Sequence, residues 1–270
     1  MSQDRPDAAG ELTVTPSDEP ANKTPHVGPG PADAGGAGSR ACARVMLLGG
    51  PGSGKGTQCE RLSRRLGAPH ISTGDLFRAE VAQGTALGQQ LAEHMKGGGL
   101  VPDELGCSIL GERLRSEDCR LRGWLGDGWV RERANAATLL GMDIVPDLVL
   151  VLDVPEDVLM RRLSGRRQDP VTRQIYHVDY RMPTDPEVCA RLVQRKDDSP
   201  EAVSVRLRTW RAQCEGGFSM LEPLREAGVP VELVDGEGTP DEVEARTAAR
   251  WSALLQRRAA SSSPEEGRGL

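Results

Sequence analysis

The run Gly49-Gly50-Pro51-Gly52-Ser53-Gly54-Lys55-Gly56-Thr57 constrains this chain more than any other stretch. An apolar run, Val45 to Leu48, precedes it. A helical pattern from Gln58 to Leu66 follows, with Cys59, Leu62 and Leu66 on one side. Strand, glycine turn and helix in that order are the setting of a phosphate-binding loop. Glycines let successive backbone N–H groups curl around a phosphate. The helix start adds its dipole and its unpaired N–H groups. Lys55 supplies a positive charge for the outer phosphates. The strict motif places Ser or Thr directly after the lysine; here Gly56 intervenes and the hydroxyl is that of Thr57. The plainer reading, a glycine-rich turn with no ligand, does not account for the lysine or the flanking periods.

At 270 residues the chain suits one medium α/β domain preceded by a polar leader. Aromatic residues make up only 3%, so the core must be built from Leu, Val, Met and Ala. The net charge of -6 gives no broad basic field, and no nucleic-acid partner is expected. No apolar run reaches the roughly 18 residues of a membrane span, and none resembles a signal peptide. The six cysteines, at 42, 59, 107, 119, 189 and 214, form no C-x-x-C pair. Neither a disulfide framework nor a four-cysteine zinc site is expected, and no metal-ligating residue is assigned.

Residues 1–40 are rich in Pro, Gly, Ala and Asp and are expected to be disordered. Their acidic residues fit a transit peptide badly, which points to a cytoplasmic location, with chloroplast or another organelle left open. Ser72 or Thr73 is placed to cap a helix running to about Met95, ended by Gly97-Gly98-Gly99. Leu100-Val101-Pro102-Asp103 opens a second helix to about Leu114. Residues 72–102 thus read as a small helical unit that can close over a ligand. Gly123 to Gly128 reads as a short strand with an acidic end at Asp127. Leu148-Val149-Leu150-Val151-Leu152 is the clearest buried strand, with a helix from Pro155 to Leu163 after it. Residues 164–198 turn Gly-, Pro-, Asp- and Arg-rich and read as an insertion of short strands and loops. Helices are expected at Glu201 to Trp210, Met220 to Glu226 and Pro240 to about Gln256. Val229 to Val234 reads as an edge strand, because Pro230 is tolerated there. Residues 259–270 are expected to be a flexible tail. Strands separated by helices imply a parallel sheet with helices on both faces.

Several stretches together resemble the adenylate kinases and their nucleoside monophosphate kinase relatives. These are the glycine loop, H-I-S-T-G-D-L-F-R from His70, L-V-P-D-E from Leu100, D-G-W-V-R from Asp127, S-G-R-R from Ser164, D-P-V-T-R-Q-I-Y-H from Asp169 and Q-R-K-D-D from Gln194. The resemblance spans about residues 43–258, within a nucleoside monophosphate kinase domain expected at 41–258. Within it, the insertion resembles that of plant chloroplast-type members rather than the zinc-bearing bacterial versions. It implies an α/β fold of the P-loop three-layer kind: a central parallel sheet, a helical monophosphate-binding unit at 72–102 and a short-strand lid at 164–198. It also implies ATP and AMP as partners, Mg²⁺ carried with ATP, and a monomer.

The same resemblance implies roles for single residues. Lys55, Arg131, Arg162, Arg195 and Arg206 would act on the transferring phosphates, with Arg131 gripping the acceptor's phosphate. Gly50, Pro51, Gly52, Ser53, Gly54, Gly56 and Thr57 would form the loop around ATP, with Arg166 attending its phosphates. Thr73, Arg78 and the Val101 backbone would hold the monophosphate nucleotide, and Asn135 would face its base. Asp127 stands where the family acts on magnesium through water. Phosphoryl transfer asks for such a set, because two polyanions must meet in line while charge spreads over the transferring oxygens. Arginine's fork matches phosphate geometry. His177 is read as a lid-packing residue, and Asp197 and Asp198 as partners of lid arginines.

Departures from the family pattern are expected to matter. A large apolar residue is usual at Gly126, proline at Val130, threonine at Glu132, glutamine at Asn135 and glycine at Arg173. Loss of the proline is expected to loosen the turn holding Arg131. Glu132 brings negative charge beside it, and Arg173 is expected to strain a left-handed turn. Competing readings are a catalytically weak structural or nucleotide-sensing protein, a kinase also accepting CMP or UMP, and a GTPase-like switch. The last leaves the helical-unit and insertion matches unexplained.

Overall fold

The computed structural model describes residues 42–95 and 101–262. The leader, the Gly97-Gly98-Gly99 hinge and the tail beyond Ser262 lie outside the described residues. The chain runs β1 (Ala43–Gly49), α1 (Lys55–Leu66), β2 (His70–Ser72), α2 (Thr73–Gln83), α3 (Ala86–Met95), α4 (Asp103–Leu114), α5 (Glu117–Arg122), β3 (Gly123–Asp127) and α6 (Arg133–Gly141). It continues through β4 (Leu148–Asp153), α7 (Glu156–Ser164), β5 (Arg166–Gln168), β6 (Ile175–His177), α8 (Pro186–Arg191), α9 (Pro200–Phe218), α10 (Glu222–Glu226), β7 (Val231–Asp235) and α11 (Pro240–Ser262).

The five strands of the main sheet are all parallel, in the order β2-β3-β1-β4-β7. Both faces are covered, and alternate residues of β1 feed two cores. Val45 and Leu47 pack with Cys59 and Leu62 of α1 and with Trp251 and Leu254 of α11. Met46 and Leu48 pack on the opposite side with Leu110 of α4, Leu139 of α6 and Leu224 of α10. Burial on both faces is why β4 reads as an unbroken apolar run. A smaller cluster joins Leu159 and Leu163 of α7 to Val203 and Leu207 of α9. Chain order departs to either side of β1, since β3 and β4 are its two neighbours. That is the switch point at which parallel sheets open a crevice, and the glycine loop follows β1 directly into it.

The helix expected from Ser72 to Met95 is two helices. Ser72 caps α2 by accepting from Asp75 N at 3.3 Å, as its hydroxyl allows. Gly84 then ends α2 in a left-handed turn at φ 68°, and α3 starts afresh at Ala86. Helices α5, α6 and α8 are additions to the sequence reading. The pattern at 201–210 continues further, and α9 breaks only where Gly216 and Gly217 turn left-handed. The final helix also outlasts its expected end near Gln256, reaching Ser262.

In the insertion β5 and β6 form an antiparallel hairpin, and Gln168 also bridges Val193. The carboxylate of Asp169 holds the turn. It accepts from Val171 N at 3.0 Å, Thr172 Oγ1 at 2.8 Å, and Arg191 Nε and Nη2 at 2.8 and 2.7 Å. These bonds, Arg191 foremost, hold its carboxyl well below the usual carboxylate range, against the cost of burial. Arg173 closes the turn at φ 63°, the left-handed conformation expected of it.

Candidate active site

The loop between β1 and α1 wraps a space lined by its own backbone. Gly52 sits at φ 83°, and a Cβ there would meet Leu163 Cγ at 2.9 Å and Leu159 O at 3.0 Å, so only glycine fits. Helix α1 begins after Gly54, at φ 93°, and no side chain caps it. Its first N–H groups therefore point to the loop, the arrangement that receives phosphate. Lys55 Nζ donates to Gly49 O at 2.7 Å and Gly50 O at 2.9 Å. Burial lowers its pKa to about 8; Asp127 opposes the shift, and Arg131, Arg206 and Arg166 add to it. A lysine surrounded by arginines is a site short of negative charge, which a polyphosphate supplies.

Parallel pairing of β3 with β1 sets Asp127 beside Leu47, at the strand ends facing the loop. Its Oδ2 lies 3.7 Å from His70 Nε2. A Cβ on Gly56 would stand 3.4 Å from that same oxygen, so the carboxylate reaches the loop. Thr73, at the start of α2, donates to Gly128 O at 3.2 Å. Arg78 Nη2 donates to Asp75 Oδ1 at 2.6 Å, while its buried Nε has no hydrogen-bond partner. Val101 lies half-buried beside Gly106 of α4.

The departures around Asp127 have structural counterparts. A Cβ on Gly126 would meet the Trp129 ring at 2.8 Å, so the indole occupies the volume of the missing side chain. Trp129 packs on Trp124 with centroids 4.6 Å apart and donates Nε1 to Ile71 O at 3.0 Å. Val130 is buried in the same core. Glu132 and Asn135 form a reciprocal capping box at the start of α6, which ties the Glu132 carboxylate to the helix end. The expected loosening of the Arg131 turn and inward charge from Glu132 are therefore not what the geometry shows. Asn135 Oδ1, expected to face a base, accepts instead from Arg131 N at 2.8 Å and Glu132 N at 2.9 Å. Arg131 itself keeps contact with solvent. The cleft walls still strip enough water to lower its pKa, Arg206 and Arg78 adding to the effect and Asp127 opposing it.

The remaining arginines gather where the insertion joins α9. Asp198 accepts from Arg166 Nε and Nη2 at 2.7 and 2.5 Å and from Arg206 Nη1 at 3.3 Å. Asp197 Oδ2 lies 3.0 Å from Arg206 Nη1. Asp198 thus pairs with Arg166 of the insertion, as the sequence suggests, whereas the partner of Asp197 is Arg206 of α9, outside it. Arg195 Nε donates to Gln168 Oε1 at 3.0 Å, and Gln168 Nε2 donates to Arg173 O at 3.0 Å. Desolvation, then the charges of Arg166 and Arg78, lower Arg195 to about 10. Arg162 stands apart from this group, with Nη1 and Nη2 each 3.4 Å from carbonyls of Ser53 and Gly238. His177 accepts from Asp179 N at 3.1 Å and stacks on Tyr180, in keeping with a packing role.

Sequence reasoning missed Gln168 as the partner of Arg195, and Trp210, whose ring a Cβ on Gly50 would meet at 3.0 Å. Neither has a local signal, because each acts on a distant segment. Among the described residues no group of three or more His, Cys, Asp or Glu gathers to hold a metal. No helix among them is long and apolar enough to cross a membrane.

A glycine loop at the switch point of a parallel sheet, facing a ring of arginines, defines a P-loop phosphotransferase acting on nucleotides. A protein-family model described as adenylate kinase matches residues 47–220. Two curated relatives agree. An "Adenylate kinase, chloroplastic" of Zea mays is 41% identical over 215 residues, covering 80% of this chain and 94% of that protein. A "Probable adenylate kinase 2, chloroplastic" of Oryza sativa subsp. japonica is 40% identical over 215 residues, covering 80% and 72%. The chain belongs to the adenylate kinase family. Its activity is the family's reversible phosphoryl transfer, ATP + AMP ⇌ 2 ADP. The cytoplasmic location read from the acidic leader is corrected by these relatives, both of which are named chloroplastic.

Proposed function

We propose that the chain performs this transfer as a monomer with AMP as its best acceptor, and that the residues gathered above divide the work as follows. The loop from Gly50 to Thr57 and the start of α1 hold the ATP phosphates. Lys55 swings from its carbonyl partners to the transferring group. Thr73, Arg78 and the Val101 backbone bind AMP, and Arg131 grips its phosphate. Arg162 and Arg166 hold ATP from the root of the lid at 164–198. Arg195 and Arg206 steady the equatorial oxygens as charge spreads over them.

The donor set for magnesium is one carboxylate, Asp127, and one hydroxyl, Thr57, with no further acid in a cluster among the described residues. That suits an ion which keeps most of its waters and arrives on ATP. When bound it would supply positive charge that offsets the charge of the phosphates. Asp127 would orient its water shell.

The observation that carries the reading is geometric: an uncapped helix start follows the glycine loop, whose carbonyls hold Lys55, and Asp127 reaches that loop from the neighbouring strand end. Each departure at Gly126, Val130 and Glu132 has a local compensation, so nothing in the site favours a non-catalytic protein. The test is a turnover matrix of ATP and GTP against AMP, CMP, UMP and GMP. ADP formation fastest from ATP and AMP is expected; a faster rate with CMP or UMP would overturn the acceptor assignment.

A further inference from the structure

The segment Val130-Arg131-Glu132 lacks the proline and threonine that the family pattern leads one to expect, yet its backbone is closely held. Val130 is 1% exposed and anchors one end in the core. At the other end Asn135 Oδ1 accepts from both Arg131 N, at 2.8 Å, and Glu132 N, at 2.9 Å. Asn135 N in turn donates to Glu132 O at 3.1 Å. Glu132 is extended, at φ -134° and ψ 159°, the conformation of a helix cap. A carbonyl oxygen has two lone pairs, and here both are used.

We infer that Asn135 is a positioning residue for Arg131 and that its side chain does not read the acceptor base. The amide oxygen takes over the restraint that a proline at 130 would have supplied. It fixes the two peptide groups on either side of the Arg131 Cα, so the guanidinium enters the cleft from a rigid stem. Recognition of an adenine edge asks one amide for a donor and an acceptor together, and the acceptor here is already engaged. Acceptor choice then falls to Thr73, the Val101 backbone and the walls of the helical unit. The inference rests on the reading that Arg131 grips the acceptor phosphate.

The test is steady-state ADP formation from MgATP with AMP and with CMP, for the wild type, Asn135→Ala, Asn135→Asp, Arg131→Ala and the Asn135→Ala/Arg131→Ala double variant. Asn135→Ala is expected to raise KM for AMP and CMP by the same factor, about fivefold for a lost cap. The AMP-to-CMP ratio of kcat/KM stays within about twofold of wild type. In the Arg131→Ala background the same change adds less than about twofold, because the stem no longer carries the group it positions. Asn135→Asp keeps an acceptor oxygen and loses the amide donor. Its added charge acts on the phosphate common to both acceptors, so here too the ratio holds. A shift of about fivefold or more in the ratio for either variant would show that the side chain reads the base and overturn the inference. So would an unchanged KM in Asn135→Ala, or an undiminished effect in the Arg131→Ala background. Should Asn135→Ala not fold, the ratio in Asn135→Asp decides. If Arg131→Ala alone leaves KM for AMP unchanged, the phosphate-gripping role of Arg131 is what fails, and the two ratios still judge Asn135.

Discussion

At the scale of single residues, Lys55 and Gly126 show how environment sets what a side chain does. Lys55→Ala removes a desolvated positive group from the transferring phosphates. The chemical step is expected to fall more than about a hundredfold, near 3 kcal/mol, with the melting temperature little changed. A folded variant keeping half the wild-type turnover would remove Lys55 from catalysis. Its lowered pKa, about 8, carries a sign of its own. Protonated lysine binds phosphate, so in the free enzyme kcat/KM for ATP is expected to decline as pH rises through about 8. Bound polyphosphate raises the pKa again, and kcat should hold to higher pH. A kcat/KM profile flat to pH 9.5 would contradict this. Gly126→Leu introduces a large apolar side chain of the kind the family pattern has there but drives it into the Trp129 indole, at an expected cost of about 1–3 kcal/mol in urea unfolding. Pairing it with Trp129→Phe should recover part of that loss, because indole and leucine contend for one volume. Equal stability of Gly126→Leu and wild type would show that they do not.

At the scale of elements, the hairpin of β5 and β6 is organised by its turn. Asp169 gathers Val171, Thr172 and Arg191, and Arg173 completes the turn in a left-handed conformation. Arg173→Gly keeps the backbone carbonyl that Gln168 uses and relieves the crowding of Cβ at positive φ. The greater freedom of glycine in the unfolded chain offsets part of that gain, leaving about 0.5–1 kcal/mol of stabilisation. Calorimetry would read it, and a lower melting temperature for Arg173→Gly would show that the side chain contributes more than the turn loses. The same hairpin carries Gln168, which ties Arg195 to the turn, so the structure and the charge of the insertion are one assembly.

At the scale of the whole molecule, the main sheet is packed on both faces, while residues 164–198 hold arginines whose present partners are carboxylates and carbonyls. A polyanion offers these arginines stronger partners. The proposed lid is therefore expected to gain hydrogen-exchange protection when a bisubstrate dinucleotide fills both sites, excluding water that otherwise competes as acceptor. Unchanged exchange across 164–198 at demonstrated saturation would rule out closure.

Much of the fold was legible because its signals are local. The apolar run of β4, the glycine loop and the Ser72 cap each depend on a few neighbouring residues, and the alternation of strands with helices implied the parallel sheet. The left-handed turn at Arg173 was legible only through the family resemblance, which has glycine at that position; arginine itself carries no local signal for positive φ. Helices α5 and α6 were missed because they are short and bury only Cys119, and Ala136 and Leu139, against partners far along the chain; α8 buries no residue and so leaves no apolar period to read. Tertiary structure alone decided where the Asn135 side chain lies, its Oδ1 accepting from Arg131 N and Glu132 N. It alone brought Gln168 to Arg195 and set Trp129 in the space above Gly126. In each case a side chain had several hydrogen-bonding or packing options of similar energy. Only the positions of distant backbone and rings, brought together by the sheet and its cores, selected one.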